Sequence, residues 1–364
     1  MIDLTEEHLY SIDQLINKKQ LFAIYKMPQN ESWHFVMQKE GDPQLFTDLM
    51  QLNGEEGFVI APFRVSEHTP IVLLRPDSRM LPTREELEKI PFRNTEEEDH
   101  LAESIDTLMY DKYASCFSVF MKPLRDGVMP KLVLSRHRVQ KRRRNDSVAK
   151  AFQRACHKYP NGYVYLVYTP QTGLWMGSTP EVILDGSLDQ WHTVALAGTQ
   201  SYEEGVEPQW DQKNRKEQEL VVHYVKEQLA KFGVDPKITG PMNIKAGQVV
   251  HRVSHFNFAL KDKSRLGDLL KLLHPTPAVC GLPKKQAYQY ILDHENHDRK
   301  YYSGFIGELN PNGNTFLFVN LRCMQISSQT YTLYAGGGLL PSSLLEEEWK
   351  ETENKMQTMG AVLE

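Results

Sequence analysis

Between Tyr163 and Ala197, four short runs of β-branched, aromatic and apolar residues follow one another with only brief breaks. They are Tyr163-Val-Tyr-Leu-Val-Tyr-Thr169, Leu174-Trp-Met176, Glu181-Val-Ile-Leu184 and His192-Thr-Val-Ala-Leu-Ala197. Parallel neighbours need a crossover of about a dozen residues or more, so connections this short commit the segment to antiparallel pairing. Similar runs precede it at Leu21–Lys26, Trp33–Met37, Gly57–Phe63 and Ile71–Arg75. Another pair, Tyr302–Leu309 and Phe316–Ile326, flanks the turn Pro311-Asn-Gly-Asn314 and reads as a hairpin. Phe316–Ile326 is apolar on both faces and is expected to be one central strand. Helical patterns separate these groups at Glu6–Lys18, Thr95 towards Met121, Asp146–Lys158, Lys213–Leu229, Gly267–Leu273, Lys284–His294 and after Pro341. Antiparallel sheets with helices set between them predict an α+β chain.

At 364 residues the chain is long enough for two average domains or one large one. Its 42 basic and 47 acidic residues leave a net charge of −5, so no global field recruits nucleic acid or an anionic membrane. Cys116, Cys156, Cys280 and Cys323 form no C-x-x-C pair, which fits free thiols in a reducing compartment. The first residues carry neither a basic nor an apolar leader region, and no apolar run approaches membrane-span length. A cytoplasmic globular protein is expected.

Several residues conflict with their local pattern. Lys131 opens the apolar strand Lys131-Leu-Val-Leu-Ser-Arg136, where a solvated strand end is the ordinary explanation. Arg138–Arg144 packs five basic residues into seven, but without interleaved aromatics it is expected to be an exposed loop and not a nucleic-acid patch. Ser178-Thr-Pro-Glu181 sets a carboxylate at the head of a strand, where an apolar environment would raise its pKa towards that of a general acid. Ala197-Gly-Thr199 ends the meander in a turn able to offer N–H and hydroxyl groups. On Lys213–Leu229, Glu217 falls on the stripe of Leu220, Val221, Tyr224 and Val225, so it needs either a salt-bridge partner or a metal. His251 and His255 share a strand face, but no third soft ligand nearby makes a zinc site. His274-Pro-Thr-Pro-Ala-Val-Cys-Gly-Leu-Pro283 is rigid enough to wall a pocket. Arg322, within the central strand, demands an anion that no sequence neighbour supplies. Finally, a strand ending at Ala335 runs into Gly336, Gly337 and Gly338, read as an anion-accepting turn, and then into a helix with Glu348, Glu351 and Lys355 on one face.

Taken together, KLVLSR, STPEVIL, ALAGT, NRKEQELV, HPTPAVCGLP, YSGFIG, NLRCMQI and YAGGG followed by EEEWKETENK resemble the chorismate-utilising enzymes. These comprise the isochorismate, salicylate, anthranilate and aminodeoxychorismate synthases. The match spans about residues 131–355, and residues 1 to about 100 are similar only loosely. The resemblance implies one large α+β domain over 1–364, with a divergent part at 1–100 and a chorismate-binding core at 101–364. In it, two antiparallel sheets pack face to face, helices lie outside, and the active site lies between. It further implies that Glu217 and Glu351 hold Mg²⁺ with Glu348 alongside, in keeping with that ion's preference for a few carboxylates and retained waters. Arg322, Tyr302, Lys355, Thr199, Gly198 and the Gly336–Gly338 backbone match positions that hold the carboxylates of chorismate, while His251 and Ala278 match positions near its ring. Amine-transferring members usually carry glutamine where Lys131 stands, so the closest likeness is to isochorismate synthase. Lys131 is then the base that activates water, and Glu181 is the acid that protonates the departing hydroxyl. Salicylate synthases share both residues and are the alternative. The usual histidine after the ligand glutamate is replaced by Gln218, expected to point away from the core with little consequence. A monomer without a glutaminase subunit, and a product that feeds menaquinone and not a siderophore, complete the expectation.

Overall fold

A computed structural model describes residues 3–93, 109–143, 146–246 and 249–363. The chain opens with α1 (Glu6–Asn17), β1 (Leu21–Lys26), β2 (Trp33–Gln38), β3 (Gln44–Phe46), β4 (Gly57–Ala61), β5 (Ile71–Leu74) and α2 (Arg84–Lys89). Next come α3 (Met109–Arg125), β6 (Lys131–Lys141), α4 (Val148–Lys158), β7 (Tyr163–Thr169), β8 (Gly173–Thr179), β9 (Val182–Ser187), β10 (Gln190–Ser201) and α5 (Gln212–Lys231). The remainder is β11 (Lys237–Ala246), β12 (Val249–Phe258), α6 (Leu266–Leu273), β13 (Gly281–Leu282), α7 (Lys284–His294), β14 (Phe305–Leu309), β15 (Asn314–Val319), β16 (Cys323–Ile326), β17 (Thr330–Leu339) and α8 (Leu345–Gly360).

The strands form two sheets, ordered β13-β6-β17-β16-β8-β7-β1-β2 and β11-β12-β10-β9-β15-β14-β4-β5-β3. Every named pairing is antiparallel, as the short connections require. Strand alternation explains the layering. In β1, Leu21, Ala23 and Tyr25 point into a core shared with Phe58 and Ile60 of the other sheet, while Phe22 and Ile24 pack outward with Ile12, Leu15 and Phe152 of the helices. The second sheet does the same: Phe58 and Ile60 point inward, and Val59 and Ala61 pack towards Val221, Leu266 and Leu269. The central strands of both sheets are therefore buried on both faces, and the α+β sandwich expected from the sequence is what forms. Aromatic stacking tightens the middle layer, with Tyr163 and Phe318 parallel at 4.3 Å between ring centroids.

Three local expectations change. Phe316–Ile326 is not one strand: β15 belongs to the second sheet and β16 to the first, and residues 320–322 carry the chain across. Arg322 takes φ 46° at this crossing, a costly conformation for a non-glycine residue. Asn320 anchors the step by accepting from Tyr165 Oη and donating to Tyr301 O at 2.9 Å. The three glycines do not make a turn, since β17 runs through them to Leu339 and pairs with β6 along its whole length. The basic run does not begin as a loop, because Arg138–Lys141 continue β6; Arg144 lies outside the described residues. The expected helix start at Thr95 also lies outside them. Cys116, Cys156, Cys280 and Cys323 are free and buried. Among the described residues no helix is long and apolar enough to cross a membrane.

Candidate active site

Where β17, β10 and β12 meet the crossing segment and the amino end of α5, the two sheets leave a cleft enclosing about 570 Å³ free of protein atoms, part of it open to solvent. Glu181, Gly198, Thr199, Glu217, His251, Ala278, Tyr302, Arg322, Gly336, Gly338, Glu351 and Lys355 all line it. Lys131 lies just behind the wall. Gly337 and Glu348 do not line it either.

One side of the cleft is cationic. Arg322 is buried, and its Nη2 donates to His251 Nε2 at 2.7 Å. A guanidinium can only donate, so Nε2 must be the accepting nitrogen, and the proton on Nδ1 is left to donate to Thr199 Oγ1 at 2.9 Å. Burial holds the His251 pKa well below its ordinary value, and the charges of Arg322 and Lys355 push it further the same way. His251 is thus a neutral bracket that orients Arg322. Among the described residues no carboxylate pairs with this guanidinium, so the anion it requires is left to a ligand. Tyr302 stacks on Tyr334 at 5.5 Å between centroids, which aims its phenol along β17 at Gly336.

Opposite this, Glu181 is fully enclosed at the end of the β8–β9 connection. Its N–H donates to Thr179 Oγ1 at 3.3 Å, and its Oε1 accepts from Thr276 Oγ1 at 3.3 Å. Burial raises its pKa to about 7, against the opposing charges of Lys131 and Arg322. A carboxyl in this state carries a proton near neutrality and can deliver it.

Lys131 is not a solvated strand end. Its side chain is completely buried, and Nζ lies 2.9 Å from Glu217 Oε1 as an ion pair without a well-aligned hydrogen bond. Burial pushes the Glu217 carboxyl up, and Lys131, with Lys213 and Lys355 beyond it, more than reverses that. Two further lysines complete the pattern. Lys213 Nζ donates to Glu348 Oε1 at 2.5 Å, and Lys355 Nζ donates to Glu351 Oε1 at 2.6 Å and to Gly336 O at 2.8 Å.

The glycines make room for these acids. A Cβ on Gly338 would stand 2.2 Å from Glu217 Oε1, and one on Gly337 would stand 3.0 Å from Glu348 Oε2 and 3.6 Å from Glu351 Oε1. Glu348 Oε2 is buried with no hydrogen-bond partner among the described residues, and burial, reinforced by the charge of Glu351, raises the Glu348 pKa to about 7. Among the described residues no three His, Cys, Asp or Glu side chains stand together as a ready-made metal cluster. The donor set nevertheless fits a hard divalent cation: carboxylate oxygens only, Glu217 and Glu351 on the wall, and an orphaned Glu348 oxygen facing a gap that glycine keeps open.

Gln218 overturns its expectation. It is 2 % exposed and faces inward, donating to Ala195 O at 2.9 Å and Ser254 Oγ at 3.2 Å, so it pins α5 to β10 and β12 directly beside Glu217. The apolar stripe of α5 is wide enough to include it. Sequence reasoning also passed over Thr276, Asn214 and Arg299. Asn214 Oδ1 accepts from Thr199 N–H at 2.8 Å. Arg299, paired with Glu295 at 2.6 Å, donates to Val279 O and Val133 O, fastening the proline-rich wall to β6. Lys213 and Asn214 lie four and three residues before Glu217 on one helix, a signal that was present. Arg299 gave none, because its partners are distant backbone carbonyls.

Comparison with known proteins follows the same line. A family model described as "Chorismate binding enzyme" matches residues 47–364. Isochorismate synthase EntC of Escherichia coli strain K12 is 29% identical over 216 residues, covering 57% of this chain and 55% of that protein. Isochorismate synthase MenF of Haemophilus influenzae is 32% identical over 205 residues, covering 53% and 46%. The alignments thus span about half the length of these curated relatives. Among solved structures, that of a 2,3-dihydroxybenzoate-specific isochorismate synthase, DhbC, from Bacillus anthracis has a TM-score of 0.76 at 20% identity, covering 97% of this chain and 99% of that one. Anthranilate synthase component I from Streptococcus pneumoniae has a TM-score of 0.63 at 19% identity, covering 93% and 90%. At these identities the structural likeness establishes the fold, which chorismate enzymes of different chemistry share.

Proposed function

Because the chain belongs to the family of chorismate-binding enzymes, we propose that it is an isochorismate synthase. In this reading Lys131 takes a proton from water as that water attacks C2 of chorismate. The ring double bonds shift, and the C4 hydroxyl leaves as water with the proton of Glu181. One water enters and one departs, so substrate and product are isomers. Arg322, Tyr302, Lys355 and Thr199 hold the substrate carboxylates, and His251 keeps the guanidinium in place. Glu217 and Glu351, with Glu348 behind them, would hold Mg²⁺, which when bound supplies positive charge for a substrate carboxylate.

The observation that carries the reading is one cleft with a buried guanidinium that pairs with no carboxylate among the described residues, a carboxyl kept protonated to about pH 7, and a fully buried lysine at its wall. A water nucleophile needs such a base, whereas ammonia needs none comparable. For the same reason no glutaminase subunit belongs to the reading. We assign the product to menaquinone synthesis. The structural neighbour MenF, described as the menaquinone-specific isochorismate synthase of Escherichia coli, supports this, and the relative described as the vibriobactin-specific isochorismate synthase of Vibrio cholerae speaks for the other branch, so quinone content after gene deletion decides between them. The enzymatic test is to incubate the purified protein with chorismate and Mg²⁺ and resolve the products by chromatography. Isochorismate in equilibrium with chorismate is expected; stoichiometric pyruvate and fluorescent salicylate at early times would replace the reading with salicylate synthase.

A further inference from the structure

Arg322 lines a second cavity as well as the cleft. This cavity encloses about 660 Å³ free of protein atoms, part of it open to solvent, and it is walled by the loop after α4, the end of β8, β11 and α8. Its character is set by three cations. Arg322 reaches it from the interior, Lys158 Nζ meets, among the described residues, only Ala361 O at 3.5 Å, and Lys245 Nζ sits 3.7 Å over the Tyr202 ring. None of the described residues lining it is acidic. Ser178 adds a hydroxyl: the residue is 5 % exposed, and its Oγ makes no hydrogen bond with a described residue. Gly162 gives that hydroxyl its space, since a Cβ there would stand 2.5 Å from Ser178 Oγ. Tyr159, held by its donation to Thr358 O at 2.7 Å, closes the wall within electrostatic reach of the guanidinium.

A buried guanidinium without a carboxylate, two ammonium groups, an unpartnered hydroxyl and no acid describe an anion site and not a metal site. We propose that the second cavity binds a small carboxylate between Lys158, Lys245 and Ser178, on the far side of Arg322 from the cleft. One guanidinium then serves two anions. Each neutralises charge the other needs, so occupancy of the second cavity weakens carboxylate binding in the cleft. The carboxylate has two sources: the substrate on its way to Arg322, which rests on the function proposed above, or a separate small acid.

The test compares wild type with the double variant Lys158→Met/Lys245→Met, after matching unfolding midpoints show that both fold alike. Sodium 4-fluorobenzoate is titrated and followed by ¹⁹F NMR, which needs no turnover. The proposal predicts two binding phases for wild type, with one lost in the double variant and restored by Lys158→Arg/Lys245→Arg. Superimposable titrations would overturn it, whatever reaction the cleft performs. Steady-state kinetics then separate the sources. A carboxylate substrate in transit predicts kcat/KM reduced by about tenfold at low salt, with kcat unchanged and the salt dependence flattened. A separate acid predicts unchanged kcat/KM and loss of the rise in KM that 4-fluorobenzoate causes in wild type.

Discussion

Replacing Glu181 by glutamine removes the proton donor and, at the same time, an ionisable group that the fold holds at a cost. The carboxyl stands near 7 in the folded protein against its ordinary 4.5, because it is buried. Between those values the unfolded chain ionises while the folded site keeps its proton, so folding becomes less favourable as pH rises. Below about 4.5 both states are protonated and nothing is lost; above about 7 the whole penalty applies. At about 1.4 kcal/mol per tenfold, the gap is worth about 3 kcal/mol. Glutamine cannot ionise, and its carbonyl oxygen can still accept from Thr276. Glu181→Gln should therefore be inactive yet more stable than wild type, by about 1 kcal/mol at pH 5 and about 3 kcal/mol at pH 8. Urea unfolding of both proteins at the two pH values measures this, and taking the difference cancels the titrating groups that do not interact with Glu181. An equal difference at pH 5 and pH 8 would show that Glu181 does not titrate in this range, and the assignment of the acid would fall with it.

Other expectations follow from the same geometry. In wild type, kcat should fall as pH rises through about 7, where Glu181 gives up the proton it must deliver; a pH profile flat from 6 to about 9 would contradict this. Lys131→Gln should abolish the water-dependent reaction while the protein folds, because glutamine can still meet Glu217; near-wild-type turnover would remove Lys131 as the base. Gly338→Ala puts a methyl group 2.2 Å from Glu217 Oε1, so that carboxylate must swing away. Activity should fall by about 100-fold with little change in unfolding midpoint, and full activity would refute the close packing. Glu217→Ala and Glu351→Ala should each abolish the response to added Mg²⁺, and an unchanged Mg²⁺ requirement would show that these helices do not hold the ion.

The site was more legible in the sequence than the path of the chain through it. Glu217 announces itself because an acid on the apolar stripe of α5 is expensive, and Arg322 because a guanidinium among apolar residues lacks an anion. Neither inference depends on knowing the sheet. The crossing at 320–322 is hidden for a physical reason: β15 and β16 are both apolar and almost wholly buried, and the two polar residues at the crossing, Asn320 and Arg322, read equally well as buried positions within one strand. Lys131 misleads in the opposite direction. A lysine at a strand end is ordinarily solvated, and only the tertiary placement of α5 brings Glu217 against its ammonium group. The triple glycine shows how one signal serves two causes. Bare backbone is needed, but to admit the carboxylates of α5 and α8 against β17 and not to form a turn. Gln218 illustrates the limit of a stripe drawn too narrowly.

The proposal that Lys131 activates water while Glu181 expels the C4 hydroxyl makes one claim that no relocation of residues can imitate. The oxygen at C2 of the product must come from solvent. Turning over chorismate briefly in ¹⁸O-enriched water and weighing the isochorismate by mass spectrometry tests it. One oxygen-18 per isochorismate molecule from the earliest times is the predicted result. Isochorismate formed at unchanged mass would mean that the hydroxyl migrates within the substrate, and the roles assigned to Lys131 and Glu181 would be wrong.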